Sequence, residues 1–128
     1  MIHHDDCTQA RIYDALYRFG LAATSSAFFH LSFAIRLAME DPNRMTMVTK
    51  LLYPKVARIY GSNWKSIERG LSRQVRRAWQ NNPELLRQMA HYRFFSCPPA
   101  SHFIAIVAAY LSAEAQTIAP TQNHQGDG

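Results

Sequence analysis

Apolar residues recur at intervals of three and four along most of the chain, and no run alternates apolar and polar residues in steps of two. The first pattern is typical of helices with one buried side, whereas a half-buried strand requires the second. Hydrophobic residues make up 48% of the 128, which is enough for one folded core. The sequence therefore predicts an all-α fold organised as one domain.

Local start and stop signals divide this domain into six predicted helices. The expected ranges are 6–20, 25–40, 47–60, 63–80, 83–91 and 101–115. Four expected helix starts have side chains that can accept from free backbone amides: Asp6 paired with Gln9, Thr24 or Ser25, Ser62 or Asn63, and Asn82 before Pro83. Pro54 is expected either to kink the third helix or to split it. We expect a flexible N-terminus over residues 1–7, a folded domain over 8–116 and a disordered polar tail over 117–128.

The eight aromatic residues that the pattern assigns to the core are Phe28, Phe29, Phe33, Tyr53, Trp79, Phe94, Phe95 and Phe103. They lie within or close to the predicted helices. We expect them to pack together in the interior.

Several classes of protein are excluded by what the sequence contains. The longest apolar stretch, residues 21–39, includes His30, Arg36 and four hydroxyl side chains, so no membrane helix is expected. Cys7 and Cys97 are too few for a disulfide scaffold, and no secretory signal is recognised, which favours a cytoplasmic protein. No catalytic motif appears, and residues 3–6 (HHDD) are a poor metal site, so neither an enzyme nor a cofactor is expected.

Positive charge is concentrated in the middle of the chain. Residues 50–93 contain ten Lys and Arg against two Asp and Glu, a net charge of +8 within a chain of +5 overall. Such a segment is either a solvated polar face or a surface for a polyanion.

The arrangement within this basic segment favours a helix-turn-helix. A short helix over 54–60 is followed by Gly61 and then by a longer basic helix from Trp64 to Gln80. At about 100° per residue, one side of the longer helix is apolar: Trp64, Ile67, Leu71, Val75 and Ala78. The opposite side is polar and basic: Ser66, Arg69, Arg73, Arg76 and Arg77, with Lys65 at its edge. A helix in the major groove of DNA has this distribution.

Individual roles follow from the residue types. Arg69 and Arg73 lie one turn apart and are expected to read guanine. Glu68 either accepts from cytosine, orients an arginine, or pairs within the helix with Lys65 or Ser72. The expected phosphate contacts are Ser62, Asn63, Lys65, Arg76 and Arg77, although Arg76 and Arg77 are also compatible with a purely solubilising role.

Two blocks of sequence resemble a known family. The residues that carry the resemblance are Leu52, Tyr53, Pro54, Val56, Ala57, Ile67, Glu68, Arg69, Leu71, Ala78 and Trp79, followed by Ser101, Phe103, Ile104, Ala105, Val107 and Ala108. They are similar to the C-terminal DNA-binding domain of stage-zero sporulation protein A, a response-regulator transcription factor. The resemblance covers about residues 8–116 and is most specific over 47–79 and 98–111.

This resemblance implies a six-helix effector domain that binds tandem promoter elements head to tail. It also implies activation through contact of residues 83–93 with a polymerase sigma subunit. Glu68 and Arg69 match the base-contacting positions of the family, while Ser66 and Ser72 occupy positions where arginine is typical and Arg73 one where histidine is typical. These five residues are the predicted base contacts, and the three departures predict an altered target sequence.

The family's regulators carry a receiver domain before this effector domain, and we expect this chain to lack one. Control is then expected to come from expression level, a partner chain or competition with a full-length regulator. The first hypothesis is a sequence-specific regulator that binds duplex DNA, with self-association on tandem sites. The alternative is a protein-interaction module of the same fold that binds a sigma subunit or a full-length regulator.

Overall fold

The computed structural model describes the backbone of residues 2–118 and the side chains of residues 7–115. The α-helices are α1 (Ile2–Arg18), α2 (Ser26–Glu40), α3 (Val48–Leu51), α4 (Tyr53–Tyr60), α5 (Trp64–Asn81), α6 (Pro83–Ala90) and α7 (Ala100–Ile118), with a 3-10 helix over Pro42–Thr46 between α2 and α3. The all-α fold is confirmed, with the predicted third helix divided into α3 and α4. The predicted tail lies outside the described residues from residue 119 onward.

Asparagine and serine side chains determine where three of these helices begin. Ser25 Oγ accepts from the amide of Phe28 at 3.3 Å, and Asn63 Oδ1 accepts from the amide of Ser66 at 2.9 Å. Asn82 caps α6 in the same way. Of the alternatives that the sequence left open, Ser25 rather than Thr24 and Asn63 rather than Ser62 are the caps.

Two expectations about helix boundaries are wrong. The first helix begins at Ile2, so Asp6 lies inside it and does not cap it. The third helix is divided at Leu52, two residues before Pro54, because a proline fits the first turn of a helix, where its missing N–H would have no helical acceptor. Pro54 therefore starts α4 and does not interrupt it.

The core lies around α2, which packs most extensively against α7 and α5. Phe28, Tyr53 and Phe103 are buried, as predicted from the aromatic pattern. The side chains of Phe29, Phe33, Trp79 and Phe94 are partly buried against the same core.

The prediction that Phe95 belongs to the core is wrong, since 74% of its surface is exposed. Phe95 follows the last turn of α6, where the chain is not helical, and the guanidinium groups of Arg87 and Arg93 lie 5.4 and 5.8 Å from its ring. Periodicity carries no information in such a segment, because no helix determines which side a residue faces.

Side-chain hydrogen bonds fix the end of α5 to the end of α1. Asn81 Nδ2 donates to the carbonyl oxygens of Phe19 at 3.0 Å and Gly20 at 3.3 Å, and Asn82 Nδ2 donates to Arg18 O at 3.2 Å. These oxygens are among the last carbonyls of α1 and the turn that follows it, which lack acceptance from a further helical turn. Over the described residues, no helix is long and apolar enough to cross a membrane.

Candidate nucleic-acid interface

One side of α5 is packed into the domain. Ile67, Leu71, Val75 and Ala78 are buried, as the apolar pattern predicted, and Trp64 is half-buried at the start of the helix. The remaining side of the helix is therefore held outward by a fixed set of core contacts.

Gly70 shows how closely α5 approaches α2. A Cβ atom added at Gly70 would lie 3.4 Å from Cβ of Ala27, which is ordinary van der Waals contact. The glycine inside this helix is thus explained by close packing, one of the readings that the sequence allowed.

The outward side of α5 has the basic character that the sequence predicted. Four arginines on it are exposed: Arg69, Arg73, Arg76 and Arg77. Within the described part of the chain, none of them is in an ion pair. Like charges spaced three or four residues apart repel, so this face favours a negatively charged partner.

The first of these arginines is the most directly outward. Nη2 of Arg69 donates to Ser66 Oγ at 3.4 Å, so these two predicted base-contacting side chains are adjacent. Arg73 lies differently, because its Nη2 is 3.7 Å from the position of a Cβ at Gly70, on the side of α5 that approaches α2.

Glu68 is half-buried at the edge of this face. Among the described residues, no ion pair joins it to Lys65, whose ammonium group instead lies 5.8 Å from the ring of Trp64. Burial, together with the nearby charge of Glu68, raises the pKa of Tyr53 to about 12. The carboxylate therefore lies close to the start of α4 and is not taken up by an intrahelical ion pair with lysine.

Ser62 and Asn63, two predicted phosphate contacts, are exposed in the turn between α4 and α5. Gly61 in this turn has φ of +65°, in the left-handed region that favours glycine, and it allows α4 to end there. Because Asn63 Oδ1 caps α5, only the remaining amides of the first turn are available to an anion.

Ser72 and Arg76 lie at one edge of α5, beside the segment that precedes α7. They line a cleft of about 280 Å³ together with Cys97 and Pro98. Burial raises the pKa of the Cys97 thiol, and the charge of Arg76 partly opposes this effect. Ser72 is therefore less outward than the other predicted base contacts.

Arg73 and Arg77 lie at the opposite edge of α5, beside the segment of residues 20–27 that connects α1 to α2. They line a polar cleft of about 300 Å³ with hydroxyl side chains of that segment. Sequence reasoning recognised Ser25 only as a helix cap, because nothing local indicates that residues 20–27 lie next to α5.

Comparison with known families agrees with this arrangement. The family model described as "Sporulation initiation factor Spo0A C terminal" matches residues 12–111. The chain belongs to this family. Membership in the Spo0A C-terminal family confirms the resemblance found in the sequence, and residues 12–111 constitute a DNA-binding effector domain of a sporulation regulator.

Family membership also gives the arrangement of α4, the turn at residues 61–63 and α5 a meaning. These elements fit a helix-turn-helix, with α5 in the position of the recognition helix. The matched range includes both blocks that carried the resemblance, and it extends into α7.

Proposed function

We infer that this chain is a transcription regulator that reads specific sequences of duplex DNA through the outward face of α5. The observation that supports this most is the exposure of four unpaired arginines on a helix whose other side is held by the core. Placing those guanidinium groups against phosphates relieves their mutual repulsion and releases counterions from DNA.

The proposed base contacts are Ser66, Glu68, Arg69, Ser72 and Arg73. Arg69 has the length and the outward position for a bidentate contact with guanine, and Ser66 is held beside it. Serine at positions 66 and 72 offers shorter donors than arginine would, so the preferred sequence differs from that of relatives with arginine there.

The proposed phosphate contacts are Ser62, Asn63, Lys65, Arg76 and Arg77. They lie at the start of α5 and along its edges, and contacts of this kind position a helix on the duplex without reading sequence. Two copies on adjacent sites, arranged head to tail, are part of this proposal.

Binding to genomic duplex fragments in the presence of excess nonspecific competitor tests the proposal. We expect a small set of fragments to remain bound and their affinity to fall steeply as salt is raised. Selection from a random duplex pool then gives the preferred sequence. Equal binding of all fragments, or of none, would contradict the proposal.

A second candidate function is a protein-interaction module that contacts a sigma subunit or a full-length regulator. It is favoured by the exposed aromatic residues after α6, where Tyr92 is 55% exposed and Phe95 is 74% exposed, next to Arg87 and Arg93. Aromatic and arginine side chains are the types most enriched at protein interfaces. Binding of a purified sigma subunit that disappears in Phe95→Ser, while DNA binding persists, is the expected result if both functions are present.

A further inference from the structure

The polar cleft between residues 20–27 and α5 has not been assigned a function so far. Its volume is about 300 Å³. The side chains on its walls are Thr24, Ser25, Ser26, Arg73, Gln74 and Arg77. Two of these are cationic, none is acidic, and three are hydroxyl donors.

The charge in this cleft is not compensated by the protein. Arg73 and Arg77 are one turn apart, and neither forms an ion pair with a described residue. Two guanidinium groups at this spacing repel each other, so an anion placed between them is stabilised by both.

The opposite wall adds hydrogen-bond donors. Ser26 is the first residue of α2, where the first amides have no helical acceptor, and no acidic residue occupies the first turn of this helix. The Ser25 hydroxyl caps Phe28, which leaves the hydroxyl of Ser26 available.

Gln74 gives an independent sign that the cleft lacks a contact. Its Oε1 is a buried atom without a hydrogen-bond partner among the described residues, which is unfavourable in a folded protein. Rotation of the terminal amide turns its NH2 group to that position, where it donates to a bound oxygen.

The position of the cleft indicates the source of the anion. A helix lying in the major groove, which is about 12 Å wide, has a sugar-phosphate backbone on each side. This cleft lies at one edge of α5, and Arg76 lies at the other edge beside residues 97–100. The two edges therefore face opposite strands.

We propose that the cleft between residues 20–27 and α5 binds a backbone phosphate of the DNA strand on that side, held by Arg77 and by the start of α2 at Ser26. The proposal rests on the DNA binding inferred above and adds the segment before α2 to the interface. It also separates Arg77 from Arg76, since the two side chains contact different strands.

Ser26→Glu tests this contact without threatening the fold. A carboxylate at the first turn of α2 favours the helix, so the melting temperature is expected not to fall, while the same carboxylate repels a phosphate from the cleft. Gln88→Glu, on the exposed side of α6, changes the net charge equally and is the matched control. Arg77→Ala is a second variant, in which an exposed guanidinium is removed.

Binding of the full chain to its best duplex is measured over a series of salt concentrations. Ser26→Glu and Arg77→Ala are each expected to weaken binding at least about tenfold more than Gln88→Glu. For Arg77→Ala, the slope of log affinity against log salt is expected to decrease by about one, and base preference stays the same. A Ser26→Glu affinity equal to that of the control would overturn the proposal and leave the proposed function intact; if the wild type itself selects no fragment, the proposed function fails first.

The DNA side of the contact is mapped by replacing single phosphates with uncharged methylphosphonates. We expect one position, on one strand, at which wild type and Arg77→Ala bind equally, and a different position on the other strand for Arg76→Ala. No such position for Arg77 would contradict the assignment. A rise in melting temperature with inorganic phosphate that Ser26→Glu removes, without any loss of DNA affinity beyond the control, would mean that the cleft binds free phosphate and not DNA.

Discussion

The two sides of α5 contrast sharply although they belong to one helix of 18 residues. The inner side is apolar and closely packed, and its spacing follows from the need to meet α2 and the rest of the core. The outer side carries unpaired positive charge that contributes nothing to packing. The contrast indicates that stability and DNA binding are determined by different residues, separated by about half a turn of helix.

The largest expected effect comes from the inner side. Leu71 is fully buried, so Leu71→Ala is expected to lower the free energy of unfolding by about 2–5 kcal/mol through lost contacts and a residual cavity. Denaturant titration measures this loss. The folded fraction should keep the same preferred DNA sequence, and a changed preference would break the separation of the two sides.

The outer side is tested by Arg69→Ala. We expect about 1–3 kcal/mol weaker binding to the best duplex and relaxed preference at one base pair, because a bidentate contact to guanine is lost. Unfolding measured by the same titration should be nearly unchanged, since Arg69 is exposed. An unchanged base preference would remove Arg69 from the reading residues.

Asn63 stands where the two roles meet, and two substitutions separate them. Asn63→Ala removes the cap of α5 and is expected to lower the free energy of unfolding by about 1 kcal/mol. Asn63→Asp keeps a capping oxygen but adds a negative charge beside the expected phosphate contacts, so it should weaken DNA binding with little loss of stability. If Asn63→Asp binds as tightly as the wild type, the start of α5 does not approach a phosphate.

Gly70→Ala is expected to have the smallest effect and the opposite sign. Alanine gains up to about 1 kcal/mol of helix propensity over glycine, and its Cβ would meet Ala27 at 3.4 Å, an ordinary contact. The melting temperature should therefore rise slightly. Gly70→Leu, which overfills the same space, is the control expected to lower it, and a fall with alanine would show that the contact with α2 is tighter than its geometry indicates.

Features of the fold that are local in sequence could be predicted, and features made by distant segments could not. The starts of α2, α5 and α6 were predictable because Ser25, Asn63 and Asn82 bond to amides only three residues away. The buried stripe of α5 was predictable because helical geometry alone places it on one side.

The parts that were missed depend on other segments. The division of the third helix at Leu52 depends on how α3 and α4 pack, and the exposure of Phe95 depends on a segment without helical periodicity. The outward position of Arg69 followed from the sequence. The cleft beside Arg77 did not, because residues 20–27 are about fifty positions away along the chain.

The two hydrogen bonds from Asn81 to the turn after α1 have a consequence for the entropy of complex formation. They join the far end of α5 to Phe19 and Gly20, and Gly20 has φ of +78° with no space for a side chain beside Asn81. The turn is thus immobilised before any duplex arrives, and the chain does not have to order it on association. A substitution at Asn81 would therefore slow or weaken docking by loosening the scaffold, although this side chain never needs to touch a nucleotide.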